Sequence, residues 1–274
     1  MTWAIHRVSL ATHDLQAAGT FFGKHLGLGT ATRLSERAIS FGKGSRGLRV
    51  VKPDRALVRG KDGLLGAVGA RHVAIEVDDL DAVATRLARA AITHVEAHPG
   101  DFDVPAIYTL DPAGNVVAFC QAARGTDSDD IQPWEKDWGW GVHHVNLQAG
   151  DVRETVAFYT EMAGLAEGSW RAPAARGNFS IDTSELAVLP LGEFNRGLHI
   201  IRPDAGFAIR NDFAHNPSVG GHPAFFVKDV TAVKARLESA GILVSDAGVY
   251  AMLGMHQIYV FDPTANMIEV NQFV

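Results

Sequence analysis

The 274-residue chain contains itself twice, and that duplication restricts its fold more than any other feature. Residues 46–54 read Arg-Gly-Leu-Arg-Val-Val-Lys-Pro-Asp and residues 196–204 read Arg-Gly-Leu-His-Ile-Ile-Arg-Pro-Asp, five of nine positions identical at an offset of 150. The same offset lays His72–Val77 on His222–Val227 and Ala82-Val83…Arg86-Leu87 on Ala232-Val233…Arg236-Leu237. With one residue added, Ile107-Tyr108…Asp111-Pro112…Asn115 falls on Ile258-Tyr259…Asp262-Pro263…Asn266. At the start of each half the offset is 137, so His6-Arg7 meets His143-His144, and an insertion of 13 residues belongs near Ala172–Thr183. Internal repeats of this kind fix architecture before any local pattern is read.

Each half divides again. A short strand such as His72–Val77 or His222–Val227 runs into an Asp suited to cap a helix, and the stretch that follows has apolar residues at helical spacing. Further β-rich runs come next, closed by an Asp-Pro-x-Gly-Asn or Asp-Pro-x-Ala-Asn turn and a last strand. The expected fold is α+β, four βαβββ modules paired into two open-barrel domains. The expected boundaries are 1–121 for the first domain and 141–274 for the second. A polar linker spans 122–140, with Trp134, Trp138 and Trp140 as docking residues rather than ligand contacts.

Composition removes several classes of function. Hydrophobic residues make up 47% and charged residues 20%, as in a globular chain with a core, and no Lys/Arg stripe accompanies the net charge of −6. Nucleic acid is not an expected partner. No apolar run of about 18 residues suggests a membrane span, and no secretory signal is visible, so the expected location is the cytoplasm. The single Cys120 excludes a multi-thiolate zinc site and an internal disulfide framework.

Comparison of the two halves singles out a chemical difference. Arg7 corresponds to His144, His72 to His222, Ala118 to Glu269 and Arg49 to His199. Two imidazoles and a carboxylate on three strands suit a divalent first-row cation, the donor set of non-haem Fe(II) oxygenases. Strand alternation adds Asn146 to the face that carries His144. The first half offers only His72, and Arg7 there would repel a cation, so one metal site is expected, in the second half. His143 competes with His144 as the ligand, and the spacing His144-Val145-Asn146 against His72-Val73-Ala74 favours His144. Glu269, within Met267-Ile268-Glu269-Val270, is costly to bury unpaired.

This pattern resembles the vicinal oxygen chelate superfamily, with its glyoxalase/bleomycin-resistance/dioxygenase-like fold. Within it the chain is similar over nearly its whole length to the two-domain extradiol ring-cleavage dioxygenases. The resemblance implies His144, His222 and Glu269 as metal ligands, His199 as acid–base residue, and Tyr259 as a hydrogen-bond donor to substrate. It implies Fe(II), a small aromatic diol and O2, and a homo-oligomer, because edge strands of such sheets pair between subunits. Asn146, Trp170, Phe179, Phe225 and Tyr250 are candidate substrate contacts. Two positions depart from the family pattern. No His stands at 250–252 (Tyr-Ala-Met), for which His256 is the candidate substitute, and Ala265 replaces a glycine. The alternative is a redox-neutral isomerase, lyase or transferase of the same superfamily using Mn, Zn, Ni or Co. A retained His/His/Glu set argues against a non-catalytic binding protein.

Overall fold

A computed structural model of the chain describes residues 3–53, 71–97, 100–122, 138–173 and 182–274. The first half holds β1 (Ala4–Ala11), α1 (Leu15–Thr20, continued by a π-turn over Phe21–His25), β2 (Thr32–Ser35), β3 (Ala38–Phe41), β4 (Gly47–Val51), β5 (His72–Val77), α2 (Leu80–Arg89), β6 (His94–Glu96), β7 (Ala106–Leu110) and β8 (Val116–Gln121). The second holds β9 (Trp140–Gln148), α3 (Val152–Ala163), β10 (Leu186–Pro190), β11 (Gly197–Ile201), α4 (Phe207–Arg210), β12 (His222–Val227), α5 (Val230–Ser239), β13 (Ser245–Val249), β14 (Met255–Phe261) and β15 (Met267–Phe273).

These strands form two open mixed sheets, ordered β2-β3-β4-β1-β5-β8-β7-β6 and β10-β11-β9-β12-β15-β14-β13. The fold is α+β, as the repeat pattern requires. In each sheet the first strand of one module lies antiparallel to the first strand of the next, β1 on β5 and β9 on β12. Both pairings break register at the same point of the repeat, and the extra residues are His6 and His143. A β-bulge of this kind re-aims side chains where it occurs.

The expected caps are present: Asp14, Asp79, Asp151 and Asp229 each accept hydrogen bonds from backbone N–H groups in the first turn of the following helix. The repeated Arg-Gly-Leu has a steric origin. Gly47 and Gly197 hold φ of +101° and +127°, and a Cβ there would lie 2.4 Å from Phe41 O and 2.2 Å from Leu189 O. Only glycine fits a hairpin closed that tightly.

One apolar core draws on both halves. Phe22 packs edge-on to Phe225 and Trp140 packs on the same ring. Trp138 stacks beside Trp140, so both tryptophans dock against the body of the protein, and Trp134 lies outside the described residues. Four hydrogen bonds related by the repeat join the halves. Asn115 Nδ2 donates to Gln148 O and Asn266 Nδ2 to Ala11 O, both at 2.9 Å. Arg86 Nε donates to Met162 O at 2.6 Å and Arg236 Nε to His25 O at 3.0 Å. The Asp-Pro-x-x-Asn turns are therefore also clasps between the halves. Residues 123–137 of the expected linker and residues 174–181, within the expected insertion, lie outside the described residues, and β9 begins at Trp140. Among the described residues no helix is long and apolar enough to cross a membrane.

Candidate metal centre

Three neighbouring strands of the second sheet, β9, β12 and β15, bring His144, His222 and Glu269 together. One ligand atom from each lies within 4.8 Å of the others, the one such group among the described residues. Register explains the convergence: Ala224 of β12 pairs with His144 on one side and Glu269 on the other. His144 Nε2 lies 3.3 Å and His222 Nε2 3.4 Å from Glu269 Oε2. The other oxygen, Oε1, accepts from Gln257 Nε2 at 3.2 Å and Asn271 Nδ2 at 3.0 Å. All three side chains are buried.

Burial opposes ionisation of Glu269, yet the His144 and His222 imidazoles outweigh it and hold the carboxyl well below the usual carboxylate range. Burial, set against the Glu269 carboxylate, lowers His222. The His199 imidazole is held well below its ordinary value by burial and then by His144. An ionised carboxylate facing imidazoles with unshared nitrogen pairs is a donor set that suits a divalent cation. His222 Nδ1 and Asn146 Oδ1 are buried atoms without a hydrogen-bond partner among the described residues, further polar capacity beside the same point.

The group forms one wall of a cavity of about 280 Å³ lined by both polar and apolar side chains. His199 stacks on His144 with ring centroids 3.9 Å apart, and its Nε2 donates to Asn195 O at 2.5 Å, leaving Nδ1 as the acceptor of the ring. Trp170 stands edge-on to His199 at 4.5 Å, anchored by a 2.9 Å bond from Nε1 to Ala251 O. Tyr259 projects from β14 into the same space, and Gln257 Nε2 donates to its hydroxyl at 3.0 Å. Burial and then the Glu269 carboxylate push the Tyr259 phenol well above its ordinary value, so it remains an O–H donor.

Of the residues expected at the site, His144, His222, Glu269, His199, Tyr259, Asn146 and Trp170 line this cavity. Three do not. His256 alternates to the opposite face of β14 and pairs with Asp246 at 2.7 Å, so it does not stand in for the absent histidine. Phe225 points into the apolar core against Phe22 and Trp140, because both faces of β12 are buried and only one of them is the cavity face. Tyr250 packs behind the wall, its hydroxyl donating to Asn211 Oδ1 at 2.5 Å. Phe179 lies outside the described residues. His143 is not a member of the ligand group; its Nδ1 lies 2.9 Å from His144 Nδ1.

Sequence reasoning missed Gln257, although strand alternation from Tyr259 points to it. It also missed Phe207, Pro217 and Ser218, which lie in the stretch between β11 and β12, and Met252 in the β13–β14 turn. From residue 205 to 221 that stretch holds no repeat-matched residue to mark it.

Comparison with known proteins adds a family match over part of the chain and a likeness in fold over nearly all of it. Residues 4–119 match the model of the Glyoxalase/Bleomycin resistance protein/Dioxygenase superfamily. No curated protein sequence matches the chain. Among solved structures, the 2,2',3-trihydroxybiphenyl 1,2-dioxygenase of Sphingomonas wittichii is similar over 99% of this chain and 91% of its own, with TM-score 0.65 and 15% identity. The halotolerant catechol dioxygenase BphC is similar over 98% and 86%, with TM-score 0.62 and 16% identity. The Mn(II)-bound glyoxalase from Novosphingobium aromaticivorans is similar over 98% and 81%, with TM-score 0.63 and 14% identity. At these identities the likeness is one of fold. Residues 4–119, less than half of the chain, are thus similar to the Glyoxalase/Bleomycin resistance protein/Dioxygenase superfamily, and the second half builds a related sheet of seven strands around the candidate centre.

Proposed function

We propose that the protein is an Fe(II)-dependent extradiol dioxygenase that opens the ring of a small catechol-type aromatic with O2. The observation that carries this reading is the His144–His222–Glu269 group at the wall of a cavity that also presents His199 and Tyr259. When bound there, a divalent iron would supply the Lewis acidity and redox chemistry that such a reaction needs. The similarity in fold to two catechol-type dioxygenases supports it.

The chain's own residues have separable tasks. His144, His222 and Glu269 hold the cation, the single carboxylate leaving a net positive charge that favours an ionised diol. His199, neutral and fixed through Nε2, has Nδ1 available to take a hydroxyl proton from the substrate and return it later. Tyr259, kept protonated, donates a hydrogen bond to a substrate oxygen. Trp170, Phe207 and Met252 form apolar wall against which an aromatic ring is held away from water.

A second reading has its own support. Residues 250–252 bring no imidazole to the cavity, whose histidines are His144, His199 and His222, and a Mn(II)-bound glyoxalase shares the fold. A redox-neutral reaction on a vicinal-oxygen substrate is the alternative. Anaerobic loading with Fe(II), followed by oxygen uptake across a catechol panel, separates the two. Stoichiometric consumption of O2 with a yellow ring-opened product supports ring cleavage. Silence toward every catechol, with tightly held Mn, Zn, Ni or Co in the purified protein, supports the alternative.

A further inference from the structure

The bulge in β9 sets two imidazoles side by side. His143 is fully buried, packs edge-on to Phe273 at 6.2 Å, and directs Nδ1 at His144 Nδ1, 2.9 Å away. Two neutral imidazoles meeting nitrogen to nitrogen share one proton, so one ring donates and the other accepts. His144 Nε2 is the atom that faces Glu269. A neutral imidazole that gives Nε2 to a cation carries its proton on Nδ1, and the group facing that proton is His143. We infer that His143 is a positioning residue. It accepts the Nδ1 proton of His144 and so fixes the tautomer and ring orientation that present Nε2 to a divalent cation. The inference rests on the metal reading above.

Two observations argue against a packing role. With Nδ1 accepting, His143 keeps its own proton on Nε2, a buried atom with no hydrogen-bond partner among the described residues. Burying an unsatisfied donor is destabilising, and a phenylalanine would pack on Phe273 without that cost. The repeat supplies the comparison. His6 occupies the same bulge in the first half, but its ring turns to Glu76 and Ser45, each at 2.6 Å, where the neighbouring residue is Arg7 and no ligand needs orienting. Partners that orient metal-bound imidazoles affect affinity by 10–100-fold, roughly the scale to expect here.

The test is a Mn(II) titration of the full chain, read by loss of the free-ion EPR signal, on wild type, His143→Phe, His143→Asn and Glu269→Gln. His143→Phe keeps an aromatic ring against Phe273 and removes the acceptor; it should weaken Mn(II) binding by about 10–100-fold while the melting temperature in EDTA is unchanged or higher. His143→Asn restores a carbonyl acceptor and should recover much of the loss. Wild-type affinity in His143→Phe overturns the inference, and so does an equal loss in both His143 variants, which would mark a role in shape alone. Those results leave the metal centre standing if Glu269→Gln fails to bind. Equal binding by wild type and Glu269→Gln would instead refute the centre itself, and the inference with it.

Discussion

Glu269→Gln is the perturbation that separates a metal ligand from a buried structural carboxylate. The three donor residues lie on three adjacent strands but 78 and 47 residues apart in the chain, so the unfolded chain does not assemble them. A cation that binds only the folded state stabilises it by RT ln(1 + [L]/Kd), about 2.7 kcal/mol at a free concentration one hundred times Kd. For a chain of this size each kcal/mol raises the melting temperature by about 2–4 °C, so the wild type should gain about 5–10 °C over its value in EDTA. Glutamine keeps the shape of the side chain and an oxygen for Gln257 and Asn271 to donate to, but removes the charge that faces His144 and His222. If affinity falls one-hundredfold, the same free metal contributes about 0.4 kcal/mol and a shift of about 1 °C. Without metal the variant should melt below the wild type, because His144 and His222 hold the Glu269 carboxyl well below its usual range, so the ionised side chain stabilises the fold at neutral pH and glutamine removes that contribution. Differential scanning calorimetry in EDTA and in Mn(II), or in Fe(II) under argon, gives all four values. A wild type that melts at one temperature in both buffers, or a variant that keeps the full shift, refutes the reasoning.

The clasp between halves predicts that Asn115→Ala and Asn266→Ala each cost about 2 kcal/mol, two side-chain hydrogen bonds apiece, by urea denaturation. The two side chains share no hydrogen-bond partner and belong to different sheets, so their losses should add; a cost below about 0.5 kcal/mol for either would remove the clasp. Cys120 is fully buried and its thiol is pushed far up, first by burial and then by Glu76. Native protein should thus resist Ellman's reagent at pH 8, and modification should track global unfolding; prompt labelling would contradict that. His256→Ala removes an exposed pair with Asp246 and should leave Mn(II) affinity and turnover unchanged, and a change in either would return His256 to the site.

The duplication made most of this legible. Matching offsets set Arg7 against His144 and Ala118 against Glu269, and these differences are what place the cavity in the second sheet rather than the first. Legibility stopped where the sequence ceased to repeat. His256 and Gln257 are adjacent, and a strand period of two, counted back from Tyr259, selects Gln257 for the cavity and sends His256 out. The same count places Phe225, three residues from His222, on the opposite face of β12, the one that packs against Phe22 and Trp140. Much of the apolar wall comes from the segment that leads from β11 to β12 and from the β13–β14 turn, whose approach to the cavity is a product of tertiary folding.

The first half shows what the same frame does without a carboxylate. At the place of His144 it has Arg7, whose guanidinium lies 3.2 Å from His72 Nε2, donates to Asp101 O at 2.7 Å, and is covered by the Phe102 ring at 4.0 Å. Burial, and then Arg49, lower Arg7 to about 10, still high enough to keep it charged at neutral pH. Ala118 leaves the Glu269 position apolar, and Phe102 and Tyr108 close over the histidine that remains. A positive charge at this point of the sheet is thus compatible with both halves, carried by the chain itself in one. In the other, shorter side chains and one added acid leave a space lined by donors rather than filled by a cation. A lone Ala118→Glu change in the first half should therefore yield an ion pair between Arg7 and the introduced carboxylate, and no second Mn(II) site, because the guanidinium already occupies the position a metal would need. A Mn(II) titration of that variant that finds two bound ions where the wild type binds one would refute this account of the first half.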